Sequence, residues 1–103
     1  MKASYQWIKD YLPAWEGSAE EMAERLTLTG TEVEEIVPVG EDRQLDVGVT
    51  SNRVDSLCHL GLARELAAAT GAMLRPPEAE VAARGGPTAE VVSLEVAAPD
   101  LCP

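Results

Sequence analysis

The sequence predicts a small, mainly helical α+β domain: three helices with a short antiparallel β-ribbon. Three observations carry this. Ser18-Ala19-Glu20-Glu21 opens a helix, Leu45, Val47 and Val49 alternate with polar or small residues as a half-buried strand does, and an alanine-rich apolar stretch runs to Gly71.

The first helix is expected after Ser4, whose hydroxyl can cap the free amides of the next turn. Trp7 and Tyr11, and likewise Ile8 and Leu12, stand four apart and make one broad apolar face; Pro13 stops the helix. In the second helix Ser18 and Glu21 form a capping box. Ala19, Met22, Ala23 and Leu26 fall on one face, Glu20 and Glu24 lie outside, and Gly30 closes the end. The ribbon follows, with the partner of the Leu45–Val49 strand around Thr31 to Val39. Val33 and Ile36 are three apart, so either a bulge re-phases that strand or the pairing is short, and Gly40 to Gln44 forms the turn. The third helix is capped by Asp55 or Ser56, buries Leu57, Leu60, Ala63, Leu66 and Ala67, and ends at Gly71. Small residues at Gly61, Ala63, Ala67 and Ala68 let another backbone approach. Beyond it, Pro76-Pro77 and Gly85-Gly86-Pro87 mark a linker, so the domain is placed at residues 1–75 and the linker and start of a following domain at 76–103.

Composition narrows the function. With 8 basic against 18 acidic residues the net charge is −10, and clustered Lys and Arg for neutralising phosphates are missing. Three helices and a ribbon approach a winged helix, which raises a DNA-binding regulator as an alternative. The third helix opposes it, because from Leu60 to Thr70 its one base is Arg64, read as paired with the neighbouring Glu65. No basic stretch leads into an apolar export segment and no apolar run is long enough to cross a bilayer, so the cytoplasm is expected, with Cys58 and Cys102 reduced.

Candidate chemistry is sparse. Cys58 and His59 are helix neighbours whose side chains point about 100° apart and do not converge on a ligand; the plain reading is a histidine near solvent beside a small buried thiol. No nucleophile elbow or phosphate-cradling glycine loop is present, and Glu32, Glu34 and Glu35 read as a charged strand edge. The informative segment is Thr50-Ser51-Asn52-Arg53-Val54-Asp55, which ends a strand and opens a helix within six residues. Asn52, Arg53, Asp55 and Arg64 are the candidate contact residues. Arg53, with five donors, either clasps the strand end to a carboxylate or carbonyls or contacts RNA phosphate or a partner within a larger assembly.

That segment also carries a resemblance. Leu45-Asp46-Val47-Gly48-Val49-Thr50-Ser51-Asn52-Arg53-Val54-Asp55-Ser56-Leu57, followed by His59-Leu60-Gly61-Leu62-Ala63-Arg64-Glu65-Leu66-Ala67-Ala68, resembles the strand, "T-x-N-R-x-D" turn and "HLG-[IL]-ARE-[LV]-A" helix at the amino terminus of bacterial phenylalanyl-tRNA synthetase beta subunits. Met1 to Tyr11 is similar to that family's start, where a short strand precedes "SWLK-x-Y", and Glu20 to Glu34 follows the pattern too. Ala98-Pro99-Asp100-Leu101-Cys102-Pro103 resembles the beginning of the next beta-subunit domain.

The resemblance implies part of an ATP- and magnesium-dependent ligase that joins phenylalanine to its tRNA as an alpha2-beta2 heterotetramer. Activation belongs to the alpha subunit, and editing and magnesium binding to later beta-subunit domains. It therefore implies a structural and assembly module with no catalytic, cofactor or metal residue of its own, whose partners are the alpha subunit, the rest of the beta subunit and, through the complex, tRNA. Two departures stand out. Val37 to Gln44 leaves no room for the tRNA-binding module that most bacterial members insert there, and the usual proline after "NR" is Val54. The end at Cys102-Pro103 reads as a fragment. The alternative to a ligase part is a free-standing tRNA- or protein-binding module.

Overall fold

The computed structural model describes Met1–Leu101; Cys102 and Pro103, on which the reading of a second thiol and of the next domain's start partly rested, lie outside the described residues. The chain runs β1 (Lys2–Ser4), α1 (Tyr5–Asp10), α2 (Ala19–Leu28), β2 (Glu32–Val39), β3 (Asp42–Gly48) and α3 (His59–Thr70), with 3-10 turns at Val54–Ser56 and Thr88–Glu90. It is an α+β fold of three helices and a small antiparallel sheet. The expected two-stranded ribbon gains a third strand, since the sheet order is β1-β3-β2 with β3 central. β1 pairs Ala3 with Leu45, and Met1 exchanges backbone bonds with Val47 at its end. Three residues are too few for an alternating pattern, so sequence periodicity does not announce β1.

Local chemistry sets most boundaries. Ser4 caps α1, its Oγ accepting from the Trp7 amide at 3.0 Å. α1 ends at Asp10, ahead of Pro13, and the chain continues in turns closed by Leu12 N to Lys9 O and Trp15 N to Leu12 O, both 2.8 Å. The Tyr5 hydroxyl donates to the Gly17 carbonyl at 2.7 Å and ties this connection to α1. The capping box of α2 is complete: Glu21 N donates to Ser18 Oγ at 3.2 Å and Ser18 N to Glu21 Oε2 at 2.7 Å. Its far end is a Schellman motif, with Gly30 N to Thr27 O and Thr31 N to Leu26 O both at 3.0 Å and Gly30 at φ +92°.

The β2–β3 pairing contains the bulge. Val33 faces Val47 and Ile36 faces Leu45, with the register shifting between Val33 and Glu35. One extra residue lets two apolar side chains three apart share the inner face, which an unbroken strand forbids. The turn is tighter than expected: β3 already begins at Asp42, and Gly40-Glu41 makes a two-residue connection with Gly40 at φ +60°, the first-position geometry a tight hairpin reserves for glycine.

α3 differs most from its prediction. It starts at His59 with Cys58 as N-cap, the thiol accepting from the Gly61 amide at 3.3 Å. Asp55 and Ser56 do not cap it; they sit in the preceding 3-10 turn, where Ser56 is fully buried and bonded to Arg53. The later start re-phases the helix. Leu57 falls outside it and is 55% exposed, Leu60 is half-buried, and Leu62 joins Ala63 and Leu66 in the core. The Cys58 thiol is exposed, not buried. Gly71, at φ +74°, closes α3 by donating to the Ala67 carbonyl at 2.8 Å.

Ile8 on α1 and Leu12 just after it, Met22 and Leu26 on α2, Leu45 and Val47 on β3, and Leu62 and Leu66 on α3 meet in one fully buried cluster. Each such side chain contributes roughly 1.5–3 kcal/mol. Tyr5, Tyr11 and Trp15 pack on its rim, whereas Trp7 stays 53% exposed. Arg75 N still bonds Tyr11 O at 2.8 Å; from there to Leu101 every residue is exposed.

Candidate functional site

The turn between β3 and α3 is built around Arg53. Its backbone N–H donates to Thr50 O at 2.9 Å and its carbonyl accepts from Ser56 N at 3.0 Å, which closes the chain on itself. The guanidinium then takes the Asp55 carboxylate in a fork, Nε to Oδ1 at 3.1 Å and Nη2 to Oδ2 at 2.9 Å. Nη2 also reaches Ser56 Oγ at 3.2 Å and Glu65 Oε1 at 2.6 Å. One side chain thereby pins the turn to the second helical turn of α3.

The electrostatics follow. Bonds to Asp55 and then Glu65 push the Arg53 guanidinium still further into its charged form, and the same bonds from Arg53 hold the Asp55 carboxyl below its usual range. Two carboxylates around one guanidinium leave the cluster net negative, which disfavours a phosphate. Asn52 and Arg64 are exposed and stand outside the clasp. Glu65 pairs with Arg53 and not with the adjacent Arg64, as helix geometry requires, because residues one apart do not face each other. The four candidate residues therefore do not converge: Arg53 and Asp55 meet, and Asn52 and Arg64 take no part in the clasp.

A second cluster joins residues far apart in sequence. Ser4 Oγ donates to Asp42 Oδ2 at 2.5 Å, the Gln6 and Arg43 amides donate to Asp42 Oδ1 at 3.0 and 2.7 Å, and the Ser4 amide donates to His59 Nε2 at 3.0 Å. The Trp7 indole stacks on the imidazole at 4.1 Å between centroids and 19° between planes. Ser4, Trp7, Asp42 and His59 line a shallow cleft with Lys2, Val39 and Gln44. Burial pulls Asp42 upward, yet the bonds from Ser4, Gln6 and Arg43 outweigh it and its carboxyl lies below the usual value; burial holds His59 low, partly opposed by Asp42.

Serine, histidine and aspartate in one cleft invite comparison with a nucleophilic triad, and the bonding rejects it. The hydroxyl proton goes to the carboxylate, and the imidazole nitrogen is occupied by a backbone amide instead of the serine oxygen. Sequence reasoning placed Ser4 as a cap and His59 beside Cys58, and missed the cluster; its sequence trace is a cap serine and a lone histidine, 55 residues apart. Among the described residues no group of His, Cys, Asp and Glu is arranged to hold a metal, and no helix is long and apolar enough to cross a membrane. Glu32, Glu34 and Glu35 are exposed along the edge strand β2.

No family profile matches the chain, and no solved structure does. Known proteins do. The chain is 35% identical over 103 residues, its whole length, to the phenylalanine–tRNA ligase beta subunit of Rhodopirellula baltica, of which it covers 15%. It is 40% identical over 76 residues to the beta subunit of Anaeromyxobacter dehalogenans, which accounts for 74% of the chain and 9% of that protein. Against the chloroplastic beta subunit of Porphyra purpurea it is 40% identical over 76 residues, 70% of the chain and 11% of that protein. The chain spans less than a sixth of each of these relatives. It belongs to the phenylalanine–tRNA ligase beta-subunit family, matching a short stretch of those proteins.

Proposed function

We propose that the chain serves as the amino-terminal structural and assembly module of a phenylalanine–tRNA ligase beta subunit. Residues 1–75 form the module and 76–103 lead into the next domain. In this reading it works in the cytoplasm, within an alpha2-beta2 complex that attaches phenylalanine to tRNA with ATP and magnesium, and it binds neither of the two itself.

The observation that carries the proposal is the state of its polar groups. Arg53, Asp55, Ser56 and Glu65 bond to one another and Ser4 bonds both Asp42 and His59, leaving no convergent set facing a substrate among the described residues. Exposed Trp7, Val39, Val54 and Leu57 provide apolar surface for protein contacts. Absence of the inserted tRNA-binding module fits the two-residue Gly40-Glu41 turn. A winged-helix role on DNA is disfavoured by α3, whose one lysine or arginine is Arg64.

ATP–pyrophosphate exchange tests the proposal. The chain with phenylalanine, ATP and magnesium is expected to give the buffer rate, and adding it to ligase alpha subunit is expected to yield a complex on gel filtration. Exchange by the chain alone, or no association with alpha subunit even when the remainder of the beta subunit is supplied, would overturn it.

A further inference from the structure

The chain's one histidine sits at the first residue of α3, with its ring against the start of α1. Its Nε2 accepts the Ser4 amide, so that nitrogen carries no proton and the neutral ring holds its proton on Nδ1. Ser4 is a junction. It ends β1, caps α1 through Oγ, and donates the same hydroxyl to Asp42 at the start of β3. One amide, one imidazole and one carboxylate thus join β1 and α1 to both β3 and α3, and the Trp7 indole covers the face of the imidazole.

We propose that His59 is a proton-released latch between α1 and α3: the neutral ring holds the Ser4 amide, and a proton on Nε2 puts donor against donor and opens the contact. Asp42 on β3 and Lys2 on β1 are the charged groups that share the cleft, while α1 presents the uncharged Trp7 and β2 presents Val39. The Asp42 carboxylate favours the imidazolium, and offers it a new acceptor once the Ser4 bond is lost. Burial opposes protonation and outweighs Asp42, so the folded ring takes its proton below its usual 6.5.

The sign is therefore set. The latch is complete above pH 6.5 and is lost as pH falls through the lower, folded-state value. Release frees the half-exposed indole of Trp7 and the entry to α1, which changes the surface the module offers a partner.

Nitrogen-15 NMR and amide exchange on the intact chain, titrated from about pH 7.5 to about pH 5, test this. The neutral ring is expected to be protonated on Nδ1. Protection of the Ser4 amide, corrected for intrinsic exchange, should fall about three- to tenfold across a transition whose midpoint is that of the ring's own titration, the worth of one net hydrogen bond. In His59→Gln, where an amide oxygen replaces the acceptor without titrating, protection should stay flat. A neutral ring protonated on Nε2, protection that does not change while His59 titrates, or the same pH-dependent loss in His59→Gln would overturn the latch.

Discussion

Replacing Gly61 by alanine sets two physical effects against each other with opposite signs. Gly61 lies inside α3, where alanine is worth about 1 kcal/mol more than glycine by helix propensity. The structure predicts the reverse outcome. A Cβ at Gly61 would stand 1.9 Å from the Asp55 carbonyl oxygen, and the Ser56 Cα is only 3.1 Å away. The obstacle is backbone, fixed by the Arg53 clasp and by buried Ser56, so it must give by about an ångström. Overpacking of this kind costs typically 1–3 kcal/mol, occasionally more; a backbone obstacle puts Gly61→Ala at the upper end, and about 3 lost against about 1 gained leaves a net loss of about 2 kcal/mol. Urea unfolding measures it, with melting falling about 4–8 °C for each kcal/mol. Ala68→Gly, on the exposed side of α3, supplies the propensity effect alone, about 1 kcal/mol lost. A Gly61→Ala chain as stable as the parent or more so would refute the close packing of the 3-10 turn on α3.

The re-phased helix predicts that Leu62→Ala costs about 2–5 kcal/mol, while Leu57→Ala stays within about 0.5 kcal/mol; equal losses in unfolding titrations would restore the earlier stripe. Removing Arg53 by Arg53→Ala should raise the Asp55 titration toward its usual 3.8 in carbon-13 NMR and speed amide exchange at Ser56, and Arg53→Lys should not restore either, since an ammonium cannot make the fork. Asp42 is also held below its usual 3.8, so its stabilising effect is complete above that value and disappears as pH falls through the lower folded value. Acid unfolding of Asp42→Asn should therefore show a weaker pH dependence below about pH 4 than the parent.

Short-range chemistry was legible in the sequence because it is local. Ser4, the Ser18–Glu21 box, Gly30 and Gly71 each act within one turn, and the Leu45–Val47 alternation reports burial directly. The three-residue spacing of Val33 and Ile36 left a bulge and a short pairing both open, and the register shift decides for the bulge. The start of α3 was misread for a physical reason: Asp55 and Ser56 are better caps than Cys58, and only the engagement of both by Arg53 leaves the cap to the thiol. The Glu65 partner of Arg53 is 12 residues away, and Ser4 lies 38 residues from Asp42 and 55 from His59, distances that periodicity and capping rules do not reach.

A paired titration tests the central claim most directly: the chain against ligase alpha subunit and against tRNA specific for phenylalanine, each at about 50 and about 200 mM salt. An assembly module with a net charge of −10 and its central arginine neutralised by two carboxylates should associate with protein and show no tRNA binding at either salt concentration. Binding to tRNA that weakens steeply with salt, with no association to the alpha subunit, would contradict the account and make the exposed Asn52 and Arg64 the first residues to mutate.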